Sequence, residues 1–285
     1  MSDIFDFDKP RDKYAVMGNP ITHSKSPRIH SLFAEQTGEA VDYTAIQVDP
    51  GGFEQAVAHF IATGGKGLNV TVPFKREAWQ LVDTRSNRAE RAGAVNTIKI
   101  ESEQLFGDNT DGIGLVNDLV RNNAIMLKGK RILLMGAGGA ARGVLAPLLE
   151  QQPAQLVIAN RTASRARDLA KEFSDLGAVQ GCGYDAALEK LQFDVIINAT
   201  AASLQGELPP LPDAIVADGG ACYDMMYGAQ PTAFMNWATQ QGAAKVLDGL
   251  GMLVEQAAES FDVWRGVHPD TQSVIEALRQ ELQQA

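Results

Sequence analysis

Only two cysteines occur in 285 residues, Cys182 and Cys222. They are too few for a disulfide framework and stand at no metal-ligand spacing, so they read as small, buried or partly buried residues of a reducing compartment. Long apolar runs are missing as well: none approaches the ~20 uncharged residues of a membrane span. The opening stretch MSDIFDFDKPRDKY is acidic and has no apolar core, so no signal peptide is expected and the expected location is the cytoplasm. Basic charge is in deficit, with 25 Lys and Arg against 35 Asp and Glu and a formal net charge of −10. That balance argues against a general nucleic-acid or anionic-membrane surface and leaves room for a locally basic pocket. Internal repeats and low-complexity segments are absent from the sequence too.

What is present is an ordinary globular composition, 45% hydrophobic and 21% charged. The length exceeds the usual size of a single core and predicts two domains. The clearest unit covers residues 130–165. Residues 132–135 are an apolar run short enough for a buried strand. It empties into Gly136, Gly138 and Gly139, and the helical pattern of Val144, Leu145, Leu148 and Leu149 follows. Residues 156–159 read as the next strand. Strand, glycine loop, helix and strand in that order make a dinucleotide-binding unit. The glycines permit a tight turn and close approach to a pyrophosphate. The helix start offers that anion N–H groups and a positive dipole end. The spacing is GxGxxA, with Ala141 where a third glycine often closes the helix against the sheet. Such a pattern is weak alone, and its strand and helix context is what sets it apart from a plain α/β turn.

A carboxylate is also missing where one type of cofactor requires it. An NAD site expects Asp or Glu ~20 residues past the loop, bonding the ribose 2′-hydroxyl. Here the second strand ends in Asn160, Arg161 and Thr162, with Arg165 close behind. Two guanidinium groups suit a 2′-phosphate, which a carboxylate would repel. A basic helix start on a solvated surface would oppose the helix dipole with nothing to offset it, whereas a bound anion offsets it. The cofactor is read as NADP(H).

Upstream, residues 14–17 read as a strand broken by Gly18, Asn19 and Pro20. A loop carrying His23, Ser24, Lys25 and Ser26 then precedes Pro27 and a helix with Ile29, Leu32 and Phe33. Ser26 before proline reads as an N-cap, and the other polar groups suit a hydroxylated or anionic ligand. Residues 41–48 predict a strand and 53–61 a helix. Leu68, Val70 and Val72 are expected on one buried strand face, with Asn69 and Thr71 on the other. Pro73 ends that strand, so Lys75 falls at a helix N-terminus, where a cation is unfavourable unless it has a function. A polar helix around 77–82 and a hairpin turning at Ser102 and Glu103 follow. Asp108 or Asp111 is expected to cap the helix containing Leu115, Val116 and Leu119. A metal site there is the weaker alternative, because no matching ligand cluster stands elsewhere.

Past Arg165, a helix at 166–173, a strand at 178–179 and a short helix near 186–191 are expected. A strongly apolar strand at 193–197 ends in Asn198 and Thr200, and a proline-rich loop over 201–212 is placed at the cofactor edge. Pro231 opens a helix through Phe234 and Trp237, and residues 245–247 form a short strand. Leu250, Leu253, Val254, Ala257, Phe261 and Trp264 make one apolar helical stripe, with Gln256 off it. A last helix carries Val274, Ile275, Leu278 and Leu282.

Taken together, MGNPITHSKSP, GGKGLNVTVPFK, AGAVNT, GDNTDG, GAGGAARGV, NRTASRA, INAT, YDMMY and DGLGMLVEQA make the chain resemble the shikimate dehydrogenase family, whose members are NADP-dependent enzymes of aromatic amino-acid synthesis. The likeness runs from Tyr14 to the terminal helices. It implies reversible reduction of 3-dehydroshikimate to shikimate by NADPH. It implies that Ser24 and Ser26 grip the substrate carboxylate, and that Thr71, Asn96, Tyr227 and Gln256 make further substrate contacts with Asn69 nearby. Lys75 and Asp111 are implied as the catalytic pair, and which of them shuttles the proton stays open. Cofactor contacts are implied at Gly136, Ala137, Gly138, Gly139 and Ala140, at Asn160, Arg161, Thr162 and Arg165, and at Thr200, Met225 and Gly249. No metal is implied. The chain departs from the family in two places: Asn87 replaces a frequent acidic residue, and Ala201, Ala202 and Ser203 follow Thr200 where serine and glycine are common.

The expected fold class is α/β in two domains. Residues 1–111 with 249–285 form a substrate-binding and catalytic α/β domain, and residues 112–248 a doubly wound, Rossmann-type NADP domain. The C-terminal helices return to the first domain, and the two crossings predict a hinged cleft that closes on binding. The expected partner is a small-molecule substrate, with no nucleic acid or membrane, in a monomer or homodimer. A dual quinate and shikimate dehydrogenase would share most of these motifs. A non-catalytic NADP-binding sensor is the reading of a different class, and the joint presence of Lys75, Asp111 and the two serines argues against it.

Overall fold

The computed structural model describes residues 11–102, 104–184, 188, 191–200, 202 and 206–284. The chain divides into two compact units, Met1–Thr110 with Ala257–Val274 and Asp111–Gln256 with Ile275–Ala285. The first unit contains β1 (Asp12–Gly18), α1 (Ser26–Thr37), β2 (Val41–Gln47), α2 (Phe53–Ala62), β3 (Gly65–Val70), α3 (Lys75–Leu81), β4 (Thr84–Arg85), α4 (Asn87–Ala92), β5 (Thr97–Glu101) and β6 (Gln104–Asp108). Then follow α5 (Asp111–Asn117), β7 (Arg131–Met135), α6 (Gly139–Glu150), β8 (Gln155–Ala159), α7 (Ala163–Glu172), β9 (Val179–Cys182), β10 (Phe193–Asn198), β11 (Val216–Asp224), α8 (Ala233–Gln240), β12 (Lys245–Leu247), α9 (Leu250–Arg265) and α10 (Gln272–Gln284). Helices α9 and α10 each give residues to both units.

The first unit is built on a mixed sheet of order β2-β1-β3-β5-β6-β4. Strand β1 runs parallel to β2 and β3, whereas β5 is antiparallel to β3 and β6. Both faces of its centre are covered. Ala15, Met17, Leu68 and Val70 join Phe53, Val57 and Phe60 of α2, Phe74 just ahead of α3 and Ala78 within it in one core. On the other face Tyr14 stacks on Trp264 of α9, with ring centroids 4.7 Å apart, and His30 of α1 stacks on Tyr43 at 4.2 Å. Gly67 is required under that tryptophan, since a Cβ there would stand 2.5 Å from its Nε1.

Several expectations are corrected here. Strand β3 ends at Val70, and Val72 is 63% exposed rather than on the buried face. The chain leaves the sheet in a turn closed by the Phe74 N–H to the Thr71 carbonyl (3.0 Å), which swings Val72 outward. Ser26 is not the N-cap of α1. Lys25 occupies that position, and the Ser26 N–H donates to the Ser24 hydroxyl at 3.3 Å. Asp108 caps no helix. It ends β6 and takes a forked pair of bonds from Arg88 of α4 (2.8 and 2.6 Å), another from the Ser86 hydroxyl (2.5 Å) and another from the Asn109 N–H (2.7 Å). The hairpin position Glu103, most of the helix expected near 186–191, and Ala201 and Ser203 lie outside the described residues.

The second unit is a six-stranded sheet, β12-β11-β10-β7-β8-β9, with every pairing parallel. Parallel strands must be covered on both faces, and alternation does this. Ile132 and Leu134 of β7 enter one core with Leu145 and Leu148 of α6, and Leu133 and Met135 enter another with Phe234 and Trp237 of α8. Strand β11 is not among the expected elements. Its sequence VADGGACYD places Asp218, Gly219 and Gly220 mid-strand, and the register against β10 shifts there, which hides the apolar period. Helix α5 also continues into a π-helical turn, Asp118–Asn122, which periodicity gives no reason to expect. Among the described residues, no helix is long and apolar enough to cross a membrane.

Burial by itself would raise the Asp108 carboxyl, but Arg88, Ser86 and the Asn109 N–H outweigh it and hold the group below its ordinary value. Its contribution to stability is therefore full above the ordinary carboxylate range and is lost as pH falls through the lower folded value. Arg88→Met strands the buried carboxylate and should cost about 3 kcal/mol at pH 7. The deficit should shrink towards pH 4, where the stranded group takes up a proton. Urea unfolding at both pH values checks this, and an equal deficit at both would contradict it.

Candidate active site

In the second unit the chain builds β7, β8 and β9 outward in one direction, then crosses back to lay β10, β11 and β12 on the other side of β7. The crevice at such a reversal, beyond the carboxyl ends of the strands, is where doubly wound sheets bind ligands. The glycine loop sits there. Gly136 leaves β7 at a φ of 105°, and a Cβ on it would stand 3.1 Å from the Ala199 carbonyl oxygen, so conformation and space both require glycine. A Cβ on Gly138 or Gly139 would meet nothing within 4 Å. That open space lies at the N-terminus of α6, whose first turn carries no acidic residue, and it fits a pyrophosphate.

The Gly136 N–H donates to the Ala159 carbonyl (2.8 Å), which ties the loop to the end of β8. Asn160, Arg161 and Thr162 follow directly, with the Asn160 amide donating to the Thr162 carbonyl at 3.0 Å. Helix α7 begins there without a side-chain cap or an acidic first turn, and Arg161 and Arg165 are exposed. A phosphate on a ribose seated at this strand end would meet two guanidinium groups and no carboxylate. Next along the same edge, the Thr200 N–H and hydroxyl both donate to Asn198 Oδ1 (3.1 and 2.7 Å). The Met225 N–H donates to the Asn198 carbonyl and the Gly249 N–H to the Met226 carbonyl, each at 3.0 Å. A Cβ on Gly249 would stand 2.2 Å from the Met225 carbonyl oxygen, so these two positions are in contact. All the positions assigned to the cofactor thus lie on the carboxyl edge of one sheet.

Asp111 is the first residue of α5. That helix lies against α9: a Cβ on Gly114 would be 2.7 Å from the Cβ of Gln256, and one on Gly251 would be 2.0 Å from the Asp118 carboxylate. Asp118 accepts from the Tyr223 hydroxyl at 2.6 Å and from Asn122 at 3.0 Å, and burial raises its carboxyl. Gln256 donates to the Leu253 carbonyl at 2.8 Å. Tyr227 is half-buried, and burial and then the charge of Asp248 raise its hydroxyl. Asp248 accepts the Leu250 N–H at 3.2 Å and a forked contact from Arg279 at 2.8 and 2.5 Å.

In the first unit the candidate residues gather where parallel β1 and β3 end side by side. The Thr71 N–H donates to the Met17 carbonyl (2.9 Å) and the Asn19 N–H to the Val72 carbonyl (3.0 Å), joining the loop that carries Ser24 and Ser26 to the one that carries Thr71. Lys75 opens α3, and its carbonyl accepts the Val95 N–H at 2.8 Å, which draws Asn96 to the same corner. Asn69 and Asn96 are buried, at 6% and 3% exposure, in a polar cluster that sequence reasoning did not find. Its other members are Tyr43, Thr97, Thr110 and Ser260. Only Ser260 gave a signal: a serine beside Phe261 on the inward side of an apolar stripe. His30 was also overlooked. Burial pushes its imidazole down to about 3 against the opposing effect of Asn69, so it is a neutral stacking group at ordinary pH. Among the described residues, no group of three His, Cys, Asp or Glu side chains could hold a metal ion.

Comparison with known proteins accounts for both units. Residues 16–98 match the family model of the shikimate dehydrogenase substrate-binding domain, residues 118–205 that of shikimate/quinate 5-dehydrogenase, and residues 249–279 that of the shikimate 5′-dehydrogenase C-terminal domain. The shikimate dehydrogenase (NADP(+)) of Alkalilimnicola ehrlichii is 60% identical over 272 residues, 95% of this chain and 99% of the relative. The chain belongs to the shikimate dehydrogenase family. The crystal structure of an Ael1 enzyme from Pseudomonas putida is similar at a TM-score of 0.89 and 46% identity, covering 94% of this chain and 98% of that one. A shikimate 5-dehydrogenase from Thermus thermophilus, crystallised with NADP(H) and shikimate, has a TM-score of 0.84 at 34% identity, covering 95% and 100%. Both likenesses span the two units, since each covers at least 94% of this chain.

The strand-end arginines yield a cofactor test. Replacing Arg161 and Arg165 together by alanine should weaken NADPH by about 100-fold, the loss of two charge-assisted contacts, while NADH changes little. Titration by fluorescence with both nucleotides measures this. Equal losses for NADPH and NADH would contradict the assignment of these arginines to the 2′-phosphate.

Proposed function

We infer that this protein catalyses the reversible, NADPH-dependent reduction of 3-dehydroshikimate to shikimate. The observation that carries this reading is 60% identity over 95% of the chain to a shikimate dehydrogenase (NADP(+)), which spans the motifs of both units. The fold agrees with it, because each sheet presents its candidate residues at one edge. A reducing, cytoplasmic setting fits Cys182 and Cys222, neither of which is in a disulfide.

Gly136 to Ala140 receive the pyrophosphate at the start of α6, and Asn160, Arg161, Thr162 and Arg165 receive the adenosine 2′-phosphate. Thr200, Met225 and Gly249 flank the nicotinamide end. When bound, the cofactor supplies or accepts the hydride. Ser24 and Ser26 hold the substrate carboxylate through their hydroxyls, which fixes the ring. Thr71, Asn96, Tyr227 and Gln256 bond the remaining oxygens, and Asn69 orders the strand end from which Thr71 projects. As negative charge develops on the ketone oxygen, the Lys75 ammonium stabilises it and Lys75 with Asp111 handles its proton. A cation at the first position of α3 works against the helix dipole, and this electrophilic role accounts for its being there.

Lys75→Ala should lower kcat about 100-fold or more and leave NADP+ affinity within about twofold. An unchanged kcat removes Lys75 from the chemistry. The founding test is NADP+ reduction followed by absorbance with shikimate and, in parallel, quinate. Turnover on shikimate alone supports the shikimate reading, and comparable turnover on both marks a dual dehydrogenase. Absence of turnover on either leaves an NADP-binding sensor.

A further inference from the structure

The polar cluster behind Asn96 is a chain of hydrogen bonds whose direction can be worked out from its fixed end. The backbone N–H of Thr110 donates to Asn96 Oδ1 at 2.9 Å, so that atom is an acceptor and the amide cannot be flipped. The Thr97 hydroxyl, 2.9 Å from the same oxygen, must therefore donate to it. Its single hydrogen is then committed, and the Ser260 hydroxyl 2.7 Å away must donate to Thr97. Ser260 in turn accepts from Asn69 Nδ2 at 3.0 Å, and Asn69 Oδ1 accepts from the Tyr43 hydroxyl at 2.7 Å. Ser26 hydrogen-bonds that same hydroxyl. Thr97 and Ser260 are both 0% exposed, so water cannot substitute for either link.

We propose that Thr97 and Ser260 are positioning residues for the substrate: through a one-directional relay, Tyr43 to Asn69 to Ser260 to Thr97 to Asn96, they hold the Asn96 carboxamide oxygen inward and present its NH2 end to a ring oxygen. The Thr110 hydroxyl accepts from Asn96 Nδ2 at 2.9 Å, which holds the amide in the same orientation. An amide whose oxygen already accepts from a backbone N–H and the Thr97 hydroxyl meets a ligand as a donor and not as an acceptor. The site therefore selects a substrate oxygen with a lone pair to offer at that position, which both a carbonyl and a hydroxyl provide. The Ser26 end couples the carboxylate grip to the same relay, in which Thr97 and Ser260 are fully buried links. The proposal rests on the shikimate reading of the site.

The decisive pair is Thr97→Val, which keeps the shape and removes the hydroxyl, and Thr97→Ser, which keeps the hydroxyl. Steady-state kinetics with shikimate and NADP+ should show the shikimate KM raised about tenfold in T97V, as expected for one lost buried hydrogen bond, and restored to within about threefold of wild type in T97S. The NADP+ KM should stay within about twofold in both, since the cofactor residues belong to the other unit. Ser260→Ala should raise the shikimate KM in the same direction, and the T97V/S260A double variant should be no worse than T97V alone, because both changes break one relay. T97V and T97S behaving alike, the two KM values rising together, or the double variant showing the product of the single effects would each overturn the relay. Should T97V lose its cooperative thermal transition, S260A against wild type decides by the same KM split. A wild-type protein without shikimate-dependent NADP+ reduction would remove the functional reading and the relay's role with it, whereas an active wild type with indistinguishable T97V and T97S removes the relay alone.

Discussion

The close approach of backbone to backbone at Gly136 is the constraint on which the second unit depends. Strand β7 lies between β8 and β10, and its continuation must clear the Ala199 carbonyl on one side while its N–H reaches Ala159 on the other. A side chain at that position would push the turn away from both neighbours. The start of α6 would then no longer face the crevice where the strand order reverses, and the space over Gly138 and Gly139 would be lost. The same device recurs along the edge at Gly249, where a Cβ would stand 2.2 Å from the Met225 carbonyl oxygen.

The first unit solves a different problem. A substrate rich in hydroxyls needs oriented polar side chains, and such side chains are mobile unless something behind them holds them. Here the second half of α9 covers the face of the sheet on which Asn69 and Thr97 lie opposite each other in register. Ser260 and Trp264 come from that helix, the first joining the polar cluster and the second donating its indole N–H to the Ile98 carbonyl at 2.9 Å. Polar groups buried this deeply are tolerable only because each finds a partner, and those partners give the candidate residues one orientation. The forked contact of Arg88 with Asp108 does the same for the end of β6, immediately ahead of Thr110.

Much of this is legible in the sequence, and the exceptions share a cause. The glycine loop, the arginines after β8 and the lysine at the start of α3 stand out because local rules forbid or disfavour them unless a ligand is present. Strand β11 escapes notice because Asp218, Gly219 and Gly220 interrupt its apolar period, and only pairing with β10 makes it a strand. Val72 is misplaced onto a buried face because alternation says nothing of where a sheet ends. Ser26 reads as a cap from its neighbour Pro27, yet the hydroxyl that takes the amide hydrogen is that of Ser24, and the helix already includes Ser26. Tyr43 and Ser260 lie far apart in the chain and have no motif in common, so nothing local marks them as members of one cluster.

The sequence by itself determined the doubly wound unit, the nucleotide and the phosphate that distinguishes it. Those depend on spacing, on charge and on the conformations glycine alone permits, all of which act over a few residues. Only the tertiary structure decided which way the Asn96 amide faces, that Asp108 is held by Arg88, and that a serine on α9 stands behind the strands of a different part of the chain. Those outcomes depend on hydrogen bonds between groups that become neighbours after folding, and a hydrogen bond has a direction only when both of its ends are known.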